Sequence, residues 1–167
     1  MTDAPTLPAD FLVGASTAAH QIEGGNVNST WWMFEHRDGS PIEEPSGDAA
    51  DSYHRWPDDL DLVADLGLQA YRFSIEWARI EPAPGEVSRA AVQHYRRMVD
   101  GCRERGIEPV VTLHHFTEPR WFWEAGGWLA PDAADRFAAY VTADLPVLEG
   151  VRWVVTINEP NIAAVAG

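Results

Sequence analysis

Ala70-Tyr71-Arg72-Phe73-Ser74-Ile75-Glu76-Trp77 is the stretch on which the fold turns. Alternation puts Tyr71, Phe73, Ile75 and Trp77 on one face of a strand and Arg72, Ser74 and Glu76 on the other. A parallel strand is normally covered on both faces and apolar almost throughout. Here one face is polar. Burying a guanidinium is costly unless a carboxylate pairs with it. The polar face therefore lines a wet, acidic cavity or belongs to a strand at an open sheet edge.

Outward from this strand the pattern is regular. Upstream, a helix opening near Pro57 buries Leu60, Val63 and Leu66 and stops at Gly67. Before it, Phe11-Leu12-Val13-Gly14-Ala15 is a first strand, followed by a long polar excursion from Glu23 to about Trp56. Downstream, Ser88 caps a second helix, with Val87 and Val92 at staple positions; its stripe is Val92, Tyr95, Val99 and Cys102, and Gly106 ends it. Pro109 to His114 is the third strand. A third helix from near Pro131 shows Ala134, Phe137, Val141 and Leu145. Val151 to Ile157 is the fourth strand and delivers Asn158-Glu159-Pro160. Strand then helix, three times, then a last strand predicts a parallel sheet with right-handed crossovers. No Gly-x-Gly-x-x-Gly follows any strand, which removes the main support for a dinucleotide fold. The expected class is α/β: a partial (β/α)8 barrel over residues 1–167, with strands one to four and three intervening helices.

Composition excludes several functions. The 167 residues are 46% hydrophobic, and 12 Lys+Arg against 26 Asp+Glu give a net charge of −14. These figures describe one globular domain rather than a disordered chain. The acidic balance argues against nucleic acid, since phosphate binding needs a basic surface. No apolar run approaches the roughly 18–20 residues of a membrane span. Met1-Thr2-Asp3-Ala4-Pro5 has neither the basic start nor the apolar stretch of a secretory signal, so the cytoplasm is the expected compartment. Cys102 is the single cysteine, which leaves it a small core residue rather than half of a disulfide.

In a β/α barrel the chemistry sits where strands end and their loops begin. His20, Gln21 and Glu23 follow the first strand; His114, His115, Phe116, Glu118 and Trp121 the third; Asn158 and Glu159 the fourth. Carboxylates, amides and imidazoles beside several of the eight Trp suit a sugar, whose hydroxyls take bidentate partners while its apolar ring face stacks on aromatics. Glycoside hydrolysis needs two carboxyl groups flanking the scissile bond. Alternation sends Asn158 and Glu159 to opposite faces unless the strand end kinks, as Pro160 would permit. Adjacent His114 and His115 face opposite ways in a strand, which disfavours a metal; no metal or cofactor is expected.

Taken together, four ordered segments resemble the N-terminal part of glycoside hydrolase family 1, the retaining β-glucosidases and β-galactosidases built on (β/α)8 barrels. The run Phe11 to Gly24, with Ala19-His20-Gln21-Ile22-Glu23-Gly24, is similar to that family's N-terminal signature. Tyr71 to Trp77 resembles its second strand. Thr112-Leu113-His114-His115-Phe116 with Gly126-Gly127-Trp128 resembles its third strand and following loop, and Thr156-Ile157-Asn158-Glu159-Pro160 its acid/base motif. The resemblance implies a small β-glycoside or oligosaccharide as substrate. Gln21 and His115 would then hydrogen-bond the glycone and Asn158 its 2-hydroxyl. Glu159 would be the general acid and later the base, and Arg72 would hold the nucleophile ionised. Phe116 departs from the Trp many members carry and removes a donor to a sugar hydroxyl, and Glu118 stands where an apolar residue is common.

The family's nucleophile is a Glu in a Thr-Glu-Asn-Gly-like segment of strand seven, and no such segment occurs in these 167 residues. The expectation is a chain carrying the acid/base half only and inactive by itself. Its partner would be the missing C-terminal half, or another copy associating through open sheet edges. The competing reading is a non-catalytic sugar-binding or self-assembling half barrel.

Overall fold

Residues 6–8 and 10–166 are described by a computed structural model; the reading of Met1 to Pro5 lies outside them. Four parallel strands form one sheet in the order β1 (Gly14–Ser16), β2 (Ala70–Ser74), β3 (Glu108–His114), β4 (Trp153–Ile157). The register pairs Gly14 with Ala70, Ala70 with Glu108, and Val110 with Trp153. β2 is therefore an interior strand. That overturns the open-edge alternative; on its polar face Ser74 and Glu76 are buried against the loops after β1 and β3, and Arg72 alone is partly open.

The helices are more numerous than the three expected. Short ones, α1 (Ala19–Ile22) and α2 (Thr30–His36), occupy the polar excursion before α3 (Ser52–Asp65). A one-turn α4 (Trp77–Ile80) follows β2, α5 (Arg89–Glu104) leads to β3, and α6 (Arg120–Glu124) and a 3-10 turn (Gly127–Leu129) precede α7 (Ala133–Leu148). After β4 the chain enters α8 (Pro160–Ala166). The long helices α3, α5 and α7 are the three crossovers. Ser88 caps α5 as expected, its hydroxyl accepting from the Ala91 amide at 3.3 Å. No helix among the described residues is long and apolar enough to cross a membrane.

Three boundaries and one helix face differ markedly from expectation, each for a local reason. Pairing of β1 starts at Gly14 rather than Phe11, and Phe11, Leu12 and Val13 are exposed. Gly14 packs so closely on β2 that a Cβ there would meet the Ala70 carbonyl oxygen at 2.4 Å, a spacing open to glycine alone. α3 begins at Ser52, not near Pro57, which sits inside the helix. Its extra turn is held by Ser52 donating to Asp59 at 2.6 Å and by Tyr53 stacked on His94 at 3.9 Å. Leu66 falls just past the buried face and is exposed, while Gly67 takes φ 70° and ends the helix. β2 stops at Ser74, because Glu76 caps α4 by accepting from the Ala78 amide.

The fourth difference is the face of α7. Its buried positions are Ala133, Tyr140, Asp144 and Val147, whereas Ala134 and Leu145 point outward and Phe137 and Val141 lie at the flank. Asp144 misleads an apolar-periodicity reading, for it is an acid at a core position with no exposed surface. Neither of its carboxylate oxygens has a hydrogen-bond partner within 3.5 Å among the described residues, and burial raises its carboxyl to about 8 against the lowering pull of the neighbouring Tyr140 hydroxyl. A carboxyl raised in the folded state stabilises most below the unfolded value of about 3.9, and that contribution is lost as pH climbs through about 8. The gain in stability from Asp144→Leu should thus be larger at pH 8 than at pH 4, by at least about 1–3 kcal/mol. Urea unfolding at both pH values checks it; an equal shift at the two would show that Asp144 does not carry the dependence.

The core lies between the sheet and α3, α5 and α7, with Phe73, Tyr95, Val99, Val111 and Tyr140 nearly inaccessible and Cys102 buried and free. Both outer strands are poorly covered: Trp153 and Val154 of β4 are exposed, as is most of β1.

Candidate functional site

Arg72 organises the C-terminal ends of the strands. From β2 its Nε donates to Thr112 Oγ1 of β3 at 2.8 Å, and its Nη2 donates to Asn158 Oδ1 at the end of β4 at 2.6 Å. One guanidinium thus spans three adjacent strands. Among the described residues no carboxylate pairs with it; a hydroxyl and an amide oxygen take two of its donors, and partial exposure leaves the others to solvent.

Asn158 extends the ladder one residue past β4, its amide donating to the His114 carbonyl at 2.9 Å, and it is buried. The kink needed after it is found in Glu159 itself, whose φ is +44°. A left-handed, non-glycine residue costs about 1–2 kcal/mol and is met with most at functional sites. Pro160 then occupies the first position of α8, where its missing N–H is no loss. The turn lets consecutive residues depart from alternation. Asn158 turns in to Arg72, and the Glu159 side chain stands exposed with no hydrogen bond recorded to its carboxylate among the described residues.

His115 is half-buried just past β3. Burial, then the nearby Arg72 cation and His114, push its imidazole down to about 4, so it is neutral at pH 7. Its Nδ1 is buried without a partner among the described residues. Nε2 is not enclosed and makes no hydrogen bond among the described residues, so it is the ring nitrogen that can meet a hydroxyl. Phe116 follows at φ +67°, the corner held by its carbonyl accepting from Trp31 Nε1 at 2.9 Å. Gln21 lies on α1, in the loop after β1, exposed and without a side-chain hydrogen bond among the described residues. Arg72 and Asn158 are therefore in direct contact and His115 lies close by, while Gln21 and Phe116 stand on neighbouring loops.

Several polar residues do more than their sequence context suggests. Glu118 joins three elements: it pairs with His114 Nε2 at 2.8 Å and accepts from Trp128 Nε1 at 2.8 Å and Thr30 Oγ1 at 3.0 Å. The four-residue spacing of His114 and Glu118 is the signal that could have found this contact. Glu23 accepts from Arg79 Nε at 2.8 Å and from the Tyr95 hydroxyl. Burial raises its carboxyl to about 7 against the lowering pull of Arg79. Glu76 accepts from Asn26 and Thr117. The carboxylates of Glu23, Glu76 and Glu118 are all committed internally, whereas that of Glu159 is open at the strand ends.

A sequence profile for glycosyl hydrolase family 1 matches residues 3–167. Coniferin β-glucosidase from Pinus contorta is 39% identical over 169 residues, covering 96% of this chain and 33% of that protein. A 6-phospho-β-galactosidase from Lacticaseibacillus casei is 41% identical over 165 residues, covering 95% and 34%. Among solved structures, a family 1 β-glucosidase from Thermotoga maritima superposes with a TM-score of 0.94 at 35% identity, covering 99% of this chain and 39% of that one. The chain spans about a third to two fifths of the length of these relatives.

Proposed function

This chain belongs to glycosyl hydrolase family 1, and from that premise we propose that it is the acid/base half of a retaining β-glycosidase acting on terminal β-linked glucosides or galactosides. Glu159 protonates the glycosidic oxygen as the bond breaks and then deprotonates the incoming water. Asn158, held by Arg72, meets the 2-hydroxyl. Gln21 and His115 meet other glycone hydroxyls. Phe116 supplies an apolar face without an indole donor.

The observation that carries this reading is the Arg72–Asn158 contact of 2.6 Å beside the left-handed turn at Glu159. It sets an amide and an open carboxyl side by side at a strand tip, next to a cation that no carboxylate among the described residues pairs with. Double displacement needs a second carboxyl about 5–5.5 Å from the first. Glu23, Glu76 and Glu118 are bound to internal donors and do not supply it. The nucleophile therefore comes from the part of the barrel beyond these residues, docked on the uncovered edges of β1 and β4, and Arg72 keeps it ionised.

The test is hydrolysis of p-nitrophenyl β-glucoside by the 167-residue chain alone and by the chain joined to strands five to eight of a relative. We expect no turnover above background alone and measurable turnover when joined. Turnover of the chain alone at the rate of a whole relative would overturn the half-site assignment. A joined protein that unfolds cooperatively yet stays inactive would overturn the roles given to Glu159 and Asn158.

A further inference from the structure

We propose that Glu76 is a positioning residue, a single buried carboxylate that holds the two glycone-binding loops in place. It is 1% exposed and sits between β2 and α4. Its Oε2 accepts from Asn26 Nδ2 of the loop after β1 at 2.7 Å and from Thr117 Oγ1 of the loop after β3 at 2.8 Å. Its Oε1 accepts from the Ala78 amide at 3.1 Å. Three donors from three segments converge on one side chain.

Each loop contact lies next to a residue read as a sugar ligand. Thr117 is two residues from His115, across the strained corner at Phe116. Asn26 also places its Nδ2 3.2 Å from His20 Nδ1, which leaves His20 Nε2–H to donate to Glu35 Oε1 at 2.9 Å. His20 directly precedes Gln21. The path from Glu76 thus runs to Gln21 through Asn26 and His20, and to His115 through Thr117. A carboxylate is the group for this task because all three neighbours donate. An amide in its place would turn an N–H toward at least one of them, leaving two donors face to face. Tyr95 braces the other side, its hydroxyl accepting from the Glu76 amide while donating to Glu23.

This role rests on the reading of Gln21 and His115 as glycone contacts, but its test requires no hydrolysis. Imidazole nitrogen spectra of the 167-residue chain are recorded from about pH 5.5 to 7.5 for Glu76→Gln, for Thr117→Val and for Glu81→Gln. Glu81 is a buried carboxylate of the same region that accepts from Trp77 Nε1 at 2.9 Å and the Gly85 amide at 2.8 Å, so it serves as a control for general loosening. In the parent chain His115 stays neutral across the range, its imidazole held at about 4 by burial, Arg72 and His114.

In Glu76→Gln, freeing the loop moves the His115 midpoint up toward the ordinary value of about 6.5, and the His20 ring-nitrogen shifts change as Asn26 leaves its Nδ1. Thr117→Val keeps the carboxylate and releases one loop, so it moves His115 and leaves His20 unchanged. Should Glu76→Gln fail to fold, Thr117→Val still decides the matter for His115. An unmoved His115 in the folded variants overturns the proposal, and so does an equal movement in Glu81→Gln. A chain that passes this test yet remains inactive when joined to strands five to eight would fault the functional reading and not the positioning.

Discussion

Glu159→Gln, in a barrel completed by strands five to eight, is expected to lower turnover of alkyl β-glucosides by about 10²–10⁴-fold, the usual contribution of a positioned general acid. An alkoxide leaving group needs its proton as the bond breaks, and an amide cannot supply it. A p-nitrophenolate leaves without help, so formation of the glycosyl-enzyme from the activated substrate should slow far less. Its hydrolysis should still slow, because the same carboxylate deprotonates water in the second half of the reaction. The expected signature is a burst of nitrophenol followed by a slow steady state. Rapid-mixing measurements with both substrate types separate the steps. Equal losses in the first step would remove Glu159 from the acid role. The left-handed turn at Glu159 bears on the choice of variant: Gln retains the backbone and size of Glu, so a change in rate reports the lost proton rather than a changed turn.

Trp77→Ala should destabilise the chain by about 3–5 kcal/mol, the range for truncating a fully buried aromatic. Trp77 is 1% exposed and stands at the centre of an aromatic cluster. Its ring centroid lies 4.6 Å from Phe122, 4.8 Å from Tyr140, 5.8 Å from Phe137 and 6.0 Å from Trp121. Its indole N–H also donates to buried Glu81, which would lose that partner. The cluster is where α4, α6 and α7 meet, so the loss reaches the loop after β3 as well as the core. Trp123→Ala is the comparison, since Trp123 is 44% exposed and makes one edge contact, with Phe34. It should cost under about 1 kcal/mol. Urea midpoints at constant slope measure both, and Trp77→Phe retains a ring if the alanine variant is too unstable to study. Similar losses at the two positions would deny Trp77 its place as the main aromatic anchor.

Alternating strands and long helices were legible because periodicity survives wherever a face is buried against one layer, as in the stripe Tyr95, Val99 and Cys102 of α5. Reading failed where a polar residue entered the core or the chain left regular structure. Asp144 turned the apparent face of α7, and Glu76 ended β2 by capping the next helix. The short helices of the excursion between β1 and α3 left no clear pattern, since α2 buries little beyond Thr30.

By itself the sequence determined the family, the order of strands and helices, and which side chains stand at the strand ends. Those follow from residue type and local spacing, and both are present in one dimension. Only the tertiary structure decided that β2 is interior, that Arg72 bonds Asn158 across β3, that Glu159 makes its own turn, and that Glu76 joins loops fifty and forty-one residues away. Such contacts depend on where a donor finds its acceptor once the chain is packed, and hydrogen bonds between distant segments leave no period in the sequence.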